Sequence, residues 1–202
     1  TLSPTGLMLG TGVKINATEK LHLQGNLTNT QSPLDLAIMG NGFFQIQMPD
    51  GTTSYTRDGN FKISNTGQVV TASGFPLIPN ITIPGNTAAV TFGQDGTVSV
   101  ELDAGAGSQN IGQIQTARFV NPSGLKPIGQ NLFEASQASG VAQIVTPSLN
   151  GAGALKQGSL EASNVNVVEE MVNMIETQRA YEINSKAISA VDGMLKFINN
   201  NL

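Results

Sequence analysis

The sequence predicts a mainly β protein: an antiparallel β domain of short hairpin-linked strands, then a long C-terminal α-helix that packs with other helices. Three observations predict it. From Gly12 onward apolar and polar residues alternate in short runs, the period-two pattern of strands with one buried and one wet face. Asx-Gly turn signals separate those runs at close spacing: Asn41-Gly42, Asp50-Gly51, Asp58-Gly59 and Asn65-Thr66-Gly67. Such pairs favour the positive φ of tight hairpins. From Ser163 to Leu202 the texture changes to a heptad, with Val167, Met174, Tyr181, Ile188 and Leu195 seven residues apart. That repeat is how a helix packs on other helices.

Residues 1–11 hold a proline and small turn residues without periodicity, and read as an N-terminal connector. The β domain is expected over 12–134. Its first strands are Val13–Ala17, Leu21–Leu23 and Leu34–Ile38, followed by Phe43–Met48, Tyr55–Arg57, Phe61–Ile63 and Gln68–Thr71. A second cycle from Ile81 to Leu102 turns at Asp95-Gly96-Thr97. This echoes Asp50-Gly51-Thr52 as shared hairpin chemistry rather than as a repeat. Residues 103–110 read as a flexible loop, and strands resume over Ile111–Val120 and Leu132–Glu134. The Ser-, Gly- and Pro-rich stretch 135–162 reads as an extended connector mirroring the first.

The closing coiled-coil-like helix, 163–202, starts at a cap supplied by Ser163 or Asn164. Glu169 and Glu170 lie at the positive end of its dipole. It would be about 50 Å long at 1.5 Å per residue, longer than a lid on the β domain requires, and no second helix of comparable length is visible. A helix docked on its own sheet keeps its apolar stripe on one face. Here Val167, Val168, Met171, Met174 and Ile175 centre on one direction, whereas Ile188, Val191, Leu195 and Ile198 centre roughly 140° away. Heptad drift supplies about 20° per repeat, and a change of companion positions supplies the rest. The helix is therefore expected to bury different faces at its two ends among several neighbouring helices. Val167, Met171, Met174, Ile175, Tyr181, Ile188, Val191, Leu195 and Ile198 are the packing residues. Gln178, Arg179 and Asn184, with Glu182 and Ser185, form a polar middle. That middle is either simply solvated or sets register between packed helices.

The composition disfavours several other functions. Charged residues are 12% of the chain, the net charge is −4, and the ten Lys and Arg are scattered singly. A nucleic-acid binder gathers its cations on one face. Cysteine is absent and His22 is the sole histidine, so neither thiolate metal sites nor the usual triads can be built. Between Leu21 and Leu23, His22 is expected to face solvent. Asp50 and Asp58 could be nominated as a hydrolytic carboxylate pair, but both precede glycine in turns, where Asp bonds its own backbone. No enzyme, cofactor, metal or membrane span is expected.

The motif residues carry a resemblance. Ser163–Val172 (SNVNVVEEMV) and Gln178–Lys186 (QRAYEINSK) resemble the C-terminal signature of the bacterial flagellar rod and hook protein family. Gln24–Leu27 (QGNL), Ile38–Phe44 (IMGNGFF) and Tyr55–Phe61 (YTRDGNF) are similar to that family's core. Leu149–Gly153 leading into Gln157-Gly158, with Ile81–Pro84, most resembles the family's distal-rod branch. Proximal-rod and hook paralogues share the general signature.

The resemblance implies a structural subunit of the flagellar axis, exported unfolded through the flagellar type III pathway. It would stack helically with copies of itself and with other rod and hook subunits, inside the surrounding ring bushing. The terminal helices line the inner core and the β domain faces outward. The family's N-terminal helix, which pairs with the C-terminal one, has no counterpart within these 202 residues, so the resemblance supplies the missing partner. The competing class is a carbohydrate-binding or adhesin-like β module on a helical stalk. It would call for an exposed aromatic platform, and aromatics are only 5% of the chain.

Overall fold

A computed structural model describes residues 13–103 and 107–200, the side chains of 199 and 200 excepted. The connector expected over 1–11 lies outside the described residues. Among the described residues, sixteen short strands, with a 3-10 turn at Pro122–Gly124, precede one α-helix. They are β1 (Leu27–Asn29), β2 (Leu36–Met39), β3 (Phe43–Gln47), β4 (Thr53–Thr56), β5 (Phe61–Ile63), β6 (Val69–Thr71), β7 (Leu77–Ile78) and β8 (Thr87–Phe92). There follow β9 (Thr97–Leu102), β10 (Ser108–Gln113), β11 (Thr116–Arg118), β12 (Lys126–Gly129), β13 (Leu132–Glu134), β14 (Gln143–Val145), β15 (Ala154–Gln157) and β16 (Ser159–Glu161). The helix is α1 (Val167–Asn200).

The largest sheet runs β12-β13-β4-β3-β11-β14, with β7 sharing the β3 edge beside β11. A three-stranded sheet β10-β9-β8 and the pairs β1-β16, β15-β2 and β5-β6 complete the set. Every ladder is antiparallel, as the hairpin signals predict.

Two apolar clusters pack the body. The larger joins Leu36, Ile38, Phe44, Ile46, Leu77, Val98, Val100, Ile114 and Leu155 among others. The smaller holds Phe43, Tyr55, Ala117, Phe119 and Leu125. Because Phe43 and Phe44 point to opposite faces of β3 and enter different clusters, β3 is buried on both sides. Strand β2 is likewise covered on both faces, with Leu36, Ala37 and Ile38 all buried. The expectation of one wet face fails for both strands, and Asp35 is buried, accepting a hydrogen bond from Thr30 Oγ1 at 2.6 Å.

The turn signals divide into two kinds. Asp50-Gly51, Asn65-Thr66-Gly67 and Asp95-Gly96 close the β3-β4, β5-β6 and β8-β9 hairpins. The Asp50/Asp95 echo is chemical: each carboxylate accepts the backbone N–H and hydroxyl of the threonine two residues on. These bonds, the hydroxyl's first, hold both carboxyls below their ordinary pKa. Asn41-Gly42 and Asp58-Gly59 are corners instead, because the strands that flank them pair elsewhere. Asp58 accepts the Asn60 N–H at 3.1 Å, the self-bonding expected of it.

Three other expectations are corrected. Residues 13–26 form no strand: Val13, Ile15, Leu21 and Leu23 are exposed, and the segment is an extended strap. The loop expected over 103–110 overlaps β10, which starts at Ser108 and pairs with β9 through a bulge between Asn110 and Gly112. The stretch 135–162, expected as a connector, supplies β14, β15 and β16, and Leu155 within it is fully buried opposite Ile38. Its glycines and prolines mark turns between strands, and β15 and β16 pair with β2 and β1, more than a hundred residues upstream, a pairing that local composition does not reveal.

Helix α1 is 34 residues long, about 50 Å at 1.5 Å per residue. Its apolar positions Val167, Met171, Met174, Ile175, Tyr181, Ile188, Val191, Leu195 and Ile198 are between 49% and 76% exposed. They are not seated on the β body. Asn166, rather than Ser163 or Asn164, caps the helix: its Oδ1 accepts the Val168 N–H at 3.2 Å and its carbonyl accepts Glu170 N–H.

Candidate functional site

The strap 13–26 and the stem 162–166 run side by side where the chain enters and leaves the β body. Their pairing continues the β1-β16 ladder, in which Leu27 faces Glu161 and Asn29 faces Ser159. Beyond it, Ala162 N–H donates to Asn26 O at 2.8 Å. The Asn164 side-chain amide then donates to both Leu21 O and Leu23 O at 3.1 Å. Asn164, a candidate cap by sequence, is thus the clasp between the two crossings.

The crossing is close because position 25 is glycine. A Cβ there would lie 1.9 Å from Ala162 O, inside any van der Waals contact, so every other residue would force the two backbones apart.

A cluster of bonds rivets this paired foot to the β body. The Gln24 amide donates to Ile38 O at 3.1 Å while its oxygen accepts Gly40 N–H at 3.0 Å. Glu161 Oε1 accepts Gly25 N–H at 2.9 Å, and its Oε2 takes Arg57 Nε at 2.9 Å and Nη2 at 2.8 Å. Arg57 Nη1 donates to Gly40 O and Gly42 O, and Nη2 reaches Ile38 O at 3.5 Å. A guanidinium has five N–H donors, and each of its three nitrogens has an acceptor here. Both side chains are largely buried, at 16% and 9% exposure. The ion pair is therefore partly dehydrated and matched at both ends, the arrangement in which loss of one partner is costly.

His22 sits beside this pair and does not face solvent as expected. Its ring lies edge-on to Phe43 and Phe133, with centroids 5.6 and 5.1 Å away. The imidazole Nε2 is buried without a hydrogen-bond partner among the described residues. Burial first, then the Arg57 and Lys20 cations, lower its pKa from the ordinary value. The phase of the strap is thus inverted: His22 turns in, while Leu21 and Leu23 turn out. Ser123 Oγ, donating to Lys20 O at 3.2 Å, ties the strap at its middle.

Three sequence motifs therefore meet in one place. Gln24–Leu27 supplies the close crossing and the amide rivet, Ile38–Phe44 the carbonyls and the aromatic wall, and Tyr55–Phe61 the guanidinium. Arg57, Glu161, Gln24 and His22 carry the joint, yet residue-by-residue sequence reading gave none of them this role. The motifs were visible; their convergence needs the fold.

Comparison with known proteins identifies what such a foot belongs to. Residues 37–100 match the family described as the flagellar hook protein FlgE/F/G D1 domain, and residues 156–201 match the flagellar basal body rod FlgEFG protein C-terminal family. The chain is 53% identical over 196 residues to the flagellar basal-body rod protein FlgG of Buchnera aphidicola, covering 97% of this chain and 75% of that one. It is 46% identical over 202 residues to FlgG of Borreliella burgdorferi, covering 99% and 76%. It is 40% identical over 197 residues to FlgG of Bacillus subtilis, covering 95% and 74%.

The chain belongs to the flagellar basal-body rod protein family. The two family matches divide within the joint: Ile38–Phe44 and Arg57 fall in the first, Glu161, Asn164 and α1 in the second. The Arg57–Glu161 pair is thus a bond between the two regions that define this rod family. The nine predicted packing residues and the predicted register residues Gln178, Arg179 and Asn184 all lie exposed on α1.

Proposed function

We propose that this chain is a non-catalytic structural subunit of the flagellar distal rod, polymerising helically into the drive shaft that passes motor torque to the hook. The observation that carries this reading is the contrast at α1. Its foot is held by a dense set of hydrogen bonds, while its apolar shaft is exposed over many turns. An apolar helix surface of this extent in water is unfavourable and calls for covering partners.

The stripe of that shaft turns between Val167–Ile175 and Ile188–Ile198, so the partners are several helices at two faces. Copies of this chain and other rod and hook subunits, whose terminal helices would pair with α1, are those partners. Gln178, Arg179 and Asn184 set the register between them. A heterologous contact that does not close yields a helical filament. The rod would form in the periplasm after type III export, and the ring bushing around it would face the β body. Tolerance of unfolded export fits a chain without cysteine, since no disulfide has to be broken and remade.

Tyr181→Asp tests the reading. A charge on the packing seam should abolish sedimentable polymer and swimming while leaving the β body's unfolding transition unchanged. A large loss of β-body stability, or normal polymer, refutes it. Imaging of the assembled rod should place Ser163–Leu202 at the innermost radius.

A further inference from the structure

The Arg57–Glu161 pair ties together the strap at Gly25, the end of β16 that leads into the stem, and the Gly40–Gly42 corner. A single guanidinium bonds three carbonyls of the β body and the carboxylate of the strand that leads into α1. That carboxylate's second oxygen bonds the strap. The pair thus adds a charged bond between segments that the short β1-β16 ladder and isolated amides also join.

A lysine at 57 would offer three donors from one point and could not fill this fork. The pair borders the apolar core at Ile38 and Phe43, while Val98 and Val100 of that core lie in the separate β8-β9-β10 sheet. Glu161 is the last strand residue before the stem that leads into α1, so the pair fixes the point from which the helix departs.

We propose that Arg57 and Glu161 are positioning residues that lock the direction of α1 relative to the β body. Load on the helix is then delivered to the body through this pair. The statement about load rests on the rod reading; the statement about direction does not. Without Glu161, Gly25 N–H and two guanidinium nitrogens, Nε and Nη2, lose their carboxylate acceptors, and a glutamine there keeps one neutral oxygen for them. The foot then pivots about the β1-β16 ladder. With Arg57 shortened, Glu161 is left as a buried anion and the stem lifts from Ile38, Gly40 and Gly42.

The chain has no cysteine, so spin labels can be placed cleanly at Lys62→Cys on β5 and Glu176→Cys on α1, both exposed. A second pair, Lys62→Cys and Glu101→Cys, stays within the β body. Pulsed dipolar spectroscopy on the full chain reads the distance distribution of each pair. Hydrogen exchange at Val98 and Val100 monitors the core.

In the otherwise native chain the Lys62–Glu176 distribution is a single narrow peak. Glu161→Gln and Arg57→Gln lose that peak to a broad distribution, while the Lys62–Glu101 distance and core protection stay unchanged. The proposal is overturned if the narrow peak survives both substitutions, or if the native chain is itself broad. It is overturned equally if peak and core protection are lost together, since the pair would then be a stability element. Whether the native chain enters flagellar basal bodies is scored separately: failure there refutes the rod reading and leaves the orientation result standing.

Discussion

Leu155→Ala tests whether the Gly- and Pro-rich stretch after Glu134 is integral to the β body. Leu155 is 1% exposed on β15, faces Ile38 across the β2 ladder, and belongs to the larger apolar cluster. Its backbone N–H donates to Gln94 O at 3.0 Å, so the strand is held on a second side. Truncation to alanine removes three carbons, roughly 2.4 kcal/mol of transfer free energy at about 0.8 kcal/mol each. Neighbours anchored in strands relax little, so the cavity term brings the cost to about 3–4 kcal/mol, inside the range of about 2–5 for buried leucines. For a chain of this size each kcal/mol moves the midpoint by about 2–4 °C, and a drop on the order of 10 °C follows. Denaturant titration should show the lower midpoint at an unchanged slope. Lys156→Ala, on the exposed side of the same strand, should stay within about 0.5 kcal/mol. A cost below about 1 kcal/mol for Leu155→Ala would mean that β15 is not held on β2 in solution, and the placement of this stretch in the body would fall.

Gly25→Ala puts a methyl against Ala162 O and should separate strap from stem. The local loss is about 2 kcal/mol, the scale of one charge-assisted hydrogen bond, read as faster exchange over 160–166 with the core unaffected; unchanged exchange would refute the close crossing. His22 has a folded pKa below its unfolded one. The unfolded state therefore binds the proton more readily, so this contribution is fully present above the unfolded pKa of about 6.5 and shrinks as pH falls through and below it. Exchange of residues 20–26 should accelerate on that acid side, and His22→Phe should flatten the dependence; parallel profiles would remove His22 as the cause. Asp95→Ala should weaken the β8-β9 turn through loss of its backbone bond, read as a lower midpoint in chemical denaturation, and no change would refute the turn assignment.

Much of the fold is legible wherever a local signal and a local partner coincide. The Asp50 and Asp95 turns join strands adjacent in sequence, so residue chemistry, hairpin and register can be read within ten residues. The helix is legible because a 3.6-residue period over ten turns has no strand equivalent. The rest fails for one physical reason: the deciding partner is distant. Leu21-His22-Leu23 alternates as a strand would, but Asn164 and the Phe43/Phe133 wall set its phase, and they turn the imidazole in and the leucines out. Leu155 is one apolar residue between Gly153 and Gly158, and only β2, more than a hundred residues upstream, makes it core. Arg57 and Glu161 are likewise separated by about half the chain. Their motifs could be matched to a family while their bond to each other could not.

The double crossing at the foot of α1 explains why a chain so poor in charge places its best-satisfied ion pair there. A helix joined to a body by one covalent strand can swivel about every single bond of that strand. Here the outgoing chain is laddered to the incoming one from Ser159 through Ala162 and clasped again at Asn164. Rotation of the helix must therefore shear two backbones past each other. Hydrogen bonds perpendicular to the strands resist that shear, but a three-residue ladder is short. Arg57 extends the resistance sideways, because its fork spans from the stem to the Gly40–Gly42 corner and cannot rotate with either alone. The exposed shaft and the braced foot are complementary requirements of one design: α1 can surrender its apolar faces to neighbouring helices only if its own body holds it by something other than those faces.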